Sequence, residues 1–194
     1  MANAYDPKAY WQERPHPNTA EAPGINDLDR AFLAPRAARA GSILEIGPGV
    51  GRLFPLYKDA ETVATLDIST NYADRARAAA AEAGIEVAAH FREASQESFP
   101  FADAAFDLGV MSHVLQHVTF EDVAPTMREA ARVCREVAVI SDQSPSWPKK
   151  GQAHAPGMHC FDHDYRAVCD EIGCEVTSFE RHQNGPIAFV YRRR

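Results

Sequence analysis

Two carboxylates, three glycines and a set of histidines are the residues whose types and spacing could do chemistry. The run Ile43-Leu44-Glu45-Ile46-Gly47-Pro48-Gly49-Val50-Gly51-Arg52 carries an apolar segment into three alternate glycines, with an acid just before the first. Side chains at Gly47, Gly49 and Gly51 would block a ligand from the backbone, and glycine also permits the tight turn required there. Peptide N–H groups at the start of a helix expected from Val50 would then face a polar or anionic group. Glu45 brings a carboxylate to the same mouth, which suits a ligand with a cationic end better than a bare pyrophosphate. Asp67 follows Gly47 by about 20 residues, the distance at which an acid accepts hydrogen bonds from both ribose hydroxyls of an adenosine. The alternative reading of Asp67 is a cap for a helix from Thr70. Its charge would repel a 2′-phosphate, so NADP fits poorly.

Histidine titrates near working pH and is the usual general base. His113 and His117 stand four residues apart beyond an apolar run, while His154 and His159 lie in a long loop before the final helix. His113 is the first candidate for a base or acceptor-orienting group, His159 the second and His154 the third. His163 reads as a surface or helix-cap residue. His154, His159, Cys160, Asp162 and His163 crowd together, but their spacing matches no zinc template and no metal is expected. Cys134, Cys160, Cys169 and Cys174 form no CxxC pair and read as buried thiols of a reducing cytosol.

The elements that must position these groups alternate. Periodicity and caps predict helices over 26–40, 50–58 (limited by Pro55), 71–83, 121–134 and 162–172, with Gly84 and Gly173 as stops. Strands are predicted over 42–46, 62–67, 86–91, 106–111 and 137–141, then 175–182 and 186–192 joined by the tight turn Gln183-Asn184-Gly185. Alternation of this kind implies a mostly parallel sheet with helices on both faces and one antiparallel strand from the C-terminal hairpin. Ligands of such sheets bind at the carboxyl ends of the strands. The glycine loop, Asp67, Ser95, Met111, Ser112, His113 and Asp142 all fall there.

At 194 residues, 45% of them hydrophobic, one domain over 1–194 is the natural reading. Residues 1–40 would form a helical lid or edge segment and 41–194 the core, with 142–161 as the substrate loop. Within that loop Trp147 offers an aromatic wall, and Lys149 and Lys150 either meet an anionic acceptor or keep the loop soluble. A net charge of −7 argues against nucleic acid as the main partner. No run approaches the roughly 20 apolar residues of a membrane span, and no basic-then-apolar leader opens the chain. A cytoplasmic monomer or homodimer is expected.

The glycine run, then Leu66-Asp67-Ile68-Ser69, Phe99-Pro100-Phe101-Ala102-Asp103-Ala104-Ala105-Phe106-Asp107-Leu108 and Val110-Met111-Ser112-His113-Val114-Leu115-Gln116-His117-Val118 appear in that order. In these motifs the chain, from about Ile43 onward, resembles the class I S-adenosylmethionine-dependent methyltransferases, in particular the small-molecule group with a Methyltransf-11-like core. The resemblance implies a Rossmann-like α/β fold with a seven-stranded sheet. It also implies S-adenosylmethionine as cofactor, S-adenosylhomocysteine as product, and in-line methyl transfer to the oxygen or nitrogen of a small-molecule acceptor.

Glu45 and the backbone from Gly47 through Pro48 and Gly49 to Gly51 and Arg52 would hold the methionine part, Asp67 the ribose, and Ile68 one face of the adenine. Where the family usually carries an aspartate for the adenine amino group this chain has Ser95, followed by Gln96, with Glu93 nearby. Met111 and Ser112 would line the cleft. His117, in a Leu-x-His-Val pattern common in the family, reads as a structural histidine bonded to backbone. The segment Ala9-Tyr10-Trp11-Gln12-Glu13-Arg14 is similar to a Tyr-Trp-x-x-Arg stretch that folds over the cofactor in many relatives. Tyr10 and Arg14 would then reach the methionine carboxylate, or the helix merely packs its aromatics on the domain edge. Two other classes compete: an NAD-dependent oxidoreductase, whose usual spacing is GxGxxG, and a cofactor-binding protein of the same fold without methyl transfer.

Overall fold

The period of two in a strand sets the layering of the molecule. In β5 (Cys134–Ser141) Val137 and Val139 point to one side of the sheet and Ala138 and Ile140 to the other. In β7 (Ile187–Arg193) Ile187, Phe189 and Tyr191 oppose Ala188 and Val190 in the same way. Both faces are apolar, so both must be covered. The computed structural model describes residues 5–14, 24–92, 98–152, 158–181 and 185–194.

Five further strands complete one sheet: β1 (Ser42–Ile46), β2 (Thr62–Asp67), β3 (Val87–Phe91), β4 (Phe106–Ser112) and β6 (Cys174–Arg181). Their order is β3-β2-β1-β4-β5-β7-β6, and among the described residues only β7 runs antiparallel to its neighbours. α2 (Asp27–Ala37) and α3 (Ala73–Ala83) cover one face, where Phe32, Leu33 and Ala80 meet Ile43, Leu108 and Val190. α4 (Val123–Val133) and α5 (Tyr165–Glu171) cover the other, with Met127, Ala130, Tyr165 and Cys169 against Leu44, Val137 and Phe189. A short α1 (Pro7–Glu13) precedes them.

Local chemistry sets the element ends. Asn26 caps α2 by accepting from Asp29 N at 2.7 Å, and Gly84 ends α3 in the left-handed conformation. The helix expected over 50–58 is not formed. Gly47, Gly49 and Gly51 all have positive φ, the chain closes through turns such as Gly51 N to Pro48 O (2.9 Å), and only a 3-10 turn, Phe54–Leu56, follows around Pro55. α5 starts later than expected because Asp164 is its cap, accepting from Ala167 N at 3.1 Å. The tip of the closing hairpin, with Gln183 and Asn184, lies outside the described residues.

Candidate functional site

β1 and β4 are neighbours in the sheet, but the chain leaves β1 toward β2 on one side and β4 toward β5 on the other. The loops beyond their carboxyl ends therefore part, which opens a crevice at the switch point. Its walls carry Glu45, Gly47, Pro48, Gly49, Arg52, Asp67, Ile68, Ser112 and His113 from the expected set.

The glycines do two different jobs. A Cβ on Gly47 would come within 2.7 Å of Val114, and one on Gly51 within 2.6 Å of Phe54. Those two are fixed by protein packing as well as by φ, not by ligand approach. At Gly49 a Cβ would meet nothing within 4 Å, so there alone the bare backbone faces open space in the cleft. The donors of this loop come from turns, since no α-helix begins there.

Glu45 is buried, and among the described residues its Oε2 has no hydrogen-bond partner of good geometry; the buried Tyr57 hydroxyl stands beside it, close enough to favour the carboxylate. Burial pushes the Glu45 carboxyl up to about 8, although Tyr57 and Arg52 oppose the shift. An orphaned carboxyl oxygen on a cleft wall fits a ligand that brings its own donor, as the ammonium of a methionine moiety does. Asp67 is raised by burial too, while the N–H groups of Ser69, Ile68 and Gly49 draw it back. Its Oδ1 accepts from Ser69 N at 3.0 Å, a local turn bond and not a cap for α3, which begins six residues later at Ala73.

Arg52 spends its guanidinium on the protein. It pairs with the buried Asp29 of α2, and its Nη2 also donates to Ser112 Oγ at 2.9 Å, while Ser112 Oγ donates to Asp29 Oδ1 at 3.0 Å. This trio ties α2 to the floor of the cleft. Met111 is a correction: it is fully buried in the core with Leu115 and Met127 and does not line the cleft, because along β4 it points to the opposite face from Ser112, which does.

The N-terminal segment is strapped over the loop after β2. Gln12 Oε1 accepts from Thr70 N and Ser69 Oγ, both at 3.2 Å; Asn71 Nδ2 and Tyr72 OH donate to the Arg14 carbonyl at 2.8 and 2.5 Å. Pro7 and Trp11 line the cleft, whereas Tyr10 and Arg14 do not. The Arg14 guanidinium lies over the Tyr10 ring at 4.8 Å, and Tyr10 stacks on His159 at 4.7 Å.

His113 takes φ 58, a conformation that non-glycine residues rarely adopt. Its N–H donates to Ile140 O at 2.7 Å, and its Nδ1 stands 3.0 Å from Asp142 Oδ2. Contact with His113 holds the Asp142 carboxyl below its ordinary range. Gln116 Nε2 donates to the same oxygen at 3.2 Å, and Ser141 Oγ joins Gln116 Oε1 and the Tyr165 hydroxyl at 3.1 and 2.8 Å. His117 lines the cleft beside His113, bonded through Nδ1 to His159 O at 3.0 Å, and burial pushes it down to about 4. His159 does not line the cleft. His163 is buried, bonded by Nε2 to Val118 O at 2.9 Å, and is neither surface nor cap. Trp147 is not on the cleft wall, and Lys149 stands 3.9 Å from Asp162. Glu93, Ser95, Gln96 and His154 lie outside the described residues.

Sequence reasoning missed Pro7, Tyr72, Val114 and Asp29. Pro7 and Tyr72 come from segments whose packing only the tertiary structure reveals, whereas Trp11 lies in the Tyr-Trp-x-x-Arg stretch. Asp29 is one of two acids in the first turn of α2, and nothing in the chain points to its partner Arg52.

A glycine loop beyond β1, an acid at the end of β2 and a crevice between them define a nucleotide-type binding protein of the open α/β class. The model of the methyltransferase domain family matches residues 44–140. A phosphatidylethanolamine N-methyltransferase from Cereibacter sphaeroides is 33% identical over 107 residues, which are 54% of this chain and 52% of that protein. The chain thus spans about half the length of this curated relative. Among solved structures, the PH0226 protein of Pyrococcus horikoshii aligns with a TM-score of 0.68 at 16% identity, covering 86% of this chain and 90% of that one. A SAM-dependent methyltransferase from Aquifex aeolicus aligns at 0.62 and 13% identity, over 97% and 98% of the two chains. The chain belongs to the class I S-adenosylmethionine-dependent methyltransferase family, with S-adenosylmethionine as cofactor and S-adenosylhomocysteine as product.

Proposed function

We propose that the protein methylates the oxygen or nitrogen of a small-molecule acceptor, with His113 as the general base and Asp142 as the residue that orients it. The observation that carries this reading is the 3.0 Å contact between Asp142 and His113, the latter on the cleft wall. Asp142 stays ionised and can only accept, so the shared proton sits on Nδ1 and leaves Nε2 as the basic nitrogen. With 30% of its side chain exposed, His113 is reachable by an acceptor. Its strained backbone is held in place by the Ile140 and Asp142 bonds, the kind of outlier that recurs where a side chain must be aimed.

When bound, S-adenosylmethionine supplies an electrophilic methyl on a sulfonium. Glu45 and the open backbone at Gly49 would hold the methionine part, Asp67 the ribose, and Ile68 the base. These acids grip the periphery, where they do not stabilise the sulfonium charge that transfer removes. Alignment of acceptor and donor could supply roughly 7–11 kcal/mol of the barrier reduction. His113 Nε2 would take the proton of an acceptor hydroxyl or ammonium. The name of the Cereibacter relative supports an amine among the two acceptor types. Pro7 and Trp11 from the N-terminal strap would exclude water from the cleft.

Labelled S-adenosylmethionine incubated with a metabolite extract, followed by mass identification of the product, tests the acceptor class. His113→Ala should keep S-adenosylhomocysteine affinity within about twofold and lower turnover of that acceptor roughly 10²–10⁴-fold. Normal turnover in this variant would remove His113 as the base.

A further inference from the structure

Beside the cleft, two segments far apart in sequence bring three metal-type donors together. His117 belongs to the 3-10 turn Leu115–His117 after β4; His159 and Cys160 belong to the stretch that leads into α5. One ligand atom from each lies within 4.8 Å of the others, and all three residues are half-buried. Cys160 Sγ stands 3.6 Å from His117 Nδ1. The two imidazoles lie nearly parallel, 15° apart, with centroids at 5.3 Å.

Zinc–nitrogen and zinc–sulfur bonds of about 2.0–2.3 Å in a tetrahedron place ligand atoms about 3.4–3.6 Å apart. The sulfur–nitrogen pair already meets that spacing, and the remaining separations, none above 4.8 Å, need to close by at most about 1.4 Å.

The two segments are pinned to each other on both sides of the cluster. Phe161 N donates to Gln116 O at 2.8 Å and His163 Nε2 to Val118 O at 2.9 Å, while Tyr5 OH, from the N-terminal segment, donates to His117 O at 3.0 Å. Tyr10 and Trp11 pack on His159 and His117 from the strap. Packing accounts for buried rings, but not for a thiol 3.6 Å from His117 Nδ1 with a ligand nitrogen of a second imidazole within 4.8 Å of both residues. We propose that His117, His159 and Cys160 form a site for one borderline-soft divalent ion such as Zn²⁺, with an open fourth position. Two imidazoles and a thiolate are the donors that zinc and cobalt prefer over magnesium or calcium.

Binding would move the His117 proton, now shared with the His159 carbonyl, from Nδ1 to Nε2, leaving the ring neutral, and would release the proton of the Cys160 thiol to solvent. The thiolate and the nearby Asp142 carboxylate offset the Arg14 guanidinium, which is stacked on Tyr10. The local spacing of residues 154–163 hid this arrangement, since its third ligand comes from the turn after β4. His117 also lines the cleft next to His113, so the open position would serve the acceptor and not the cofactor. That last consequence rests on the methyl-transfer reading; the ion site does not.

Titration of the full chain with Co²⁺ tests it. The expected result is one ion per chain, intense tetrahedral visible bands and a thiolate-to-cobalt charge-transfer band. Cys160→Ser should abolish the charge-transfer band, and His159→Ala should weaken binding at least tenfold. Zn²⁺ should displace the cobalt and raise the melting temperature of the unaltered protein, which gives a reading if a variant folds poorly. Absence of the charge-transfer band in the unaltered protein, or its persistence in Cys160→Ser, would overturn the proposal. S-adenosylhomocysteine titrated into the same samples separates the two readings. Binding of it without cobalt sinks the ion site alone, whereas cobalt binding without it sinks the methyl-transfer reading alone.

Discussion

Glu45 shows how a single buried carboxyl can report ligand binding. Burial raises it to about 8, so at neutral pH it is mostly protonated until a cationic donor arrives. The sign follows from linkage. Its pKa in the folded protein exceeds the unfolded value, so its contribution to stability is complete below about 4.3 and disappears as pH rises through about 8. Pairing with a ligand ammonium reverses the preference and expels the proton. Calorimetry of S-adenosylhomocysteine binding at pH 7, in buffers of different ionisation enthalpy, should therefore show release of roughly one proton. Glu45→Gln should show none. Equal proton release from both proteins would assign it elsewhere. The acid at this position was legible in the sequence, since it precedes the first glycine. Its protonation state was not, because that depends on Tyr57 and Arg52 closing over it.

The strap formed by α1 has no core of its own: none of its residues is fully buried, and beside the ring contacts of Tyr10 and Trp11 its hydrogen bonds to the body run largely through Gln12, Asn71 and Tyr72. Gln12→Ala should loosen it, weakening S-adenosylhomocysteine about three- to tenfold with less than 1 kcal/mol lost in overall stability. Affinity unchanged in that variant would detach the strap from ligand binding. Elements with strict periodicity were readable from the chain: β1 and β2 fall where apolar runs place them, and α3 stops at Gly84. The turn after the glycine loop was not readable, because three positive-φ residues override the helical pattern of 50–58. The Phe99-Pro100-Phe101 motif gains its physical meaning only in three dimensions. Arg132 of α4 donates to the carbonyls of Phe99 and Phe101 at 3.0 and 2.9 Å and to Asp103, and so clamps the approach to β4.

At the scale of the whole molecule, two covered sheet faces and a single antiparallel strand put every ligand-facing loop at one edge. The alternation of strands and helices made that arrangement legible in the sequence. The joins between distant segments were not, and His163 is one of them. It bonds Val118 across the space between the turn after β4 and the lead into α5, and burial lowers it to about 4. Its contribution to stability is present above the unfolded value near 6.5 and is lost as pH falls toward about 4. Urea unfolding should thus lose about 2 kcal/mol between pH 6.5 and 5 on account of this residue. His163→Asn should remove about half of the histidine slope, the rest belonging to His117, which burial holds at about 4 as well. A slope unchanged by the substitution would contradict the assignment.

The most direct test of the account is isothermal calorimetry of the full chain with S-adenosylhomocysteine, run beside Asp67→Ala. One ligand should bind per chain, and loss of the ribose bonds should weaken it at least tenfold, as two hydrogen bonds to a carboxylate would. If the folded protein bound none, or the Asp67 variant bound as tightly as the unaltered chain, the crevice between β1 and β4 would not be the cofactor site.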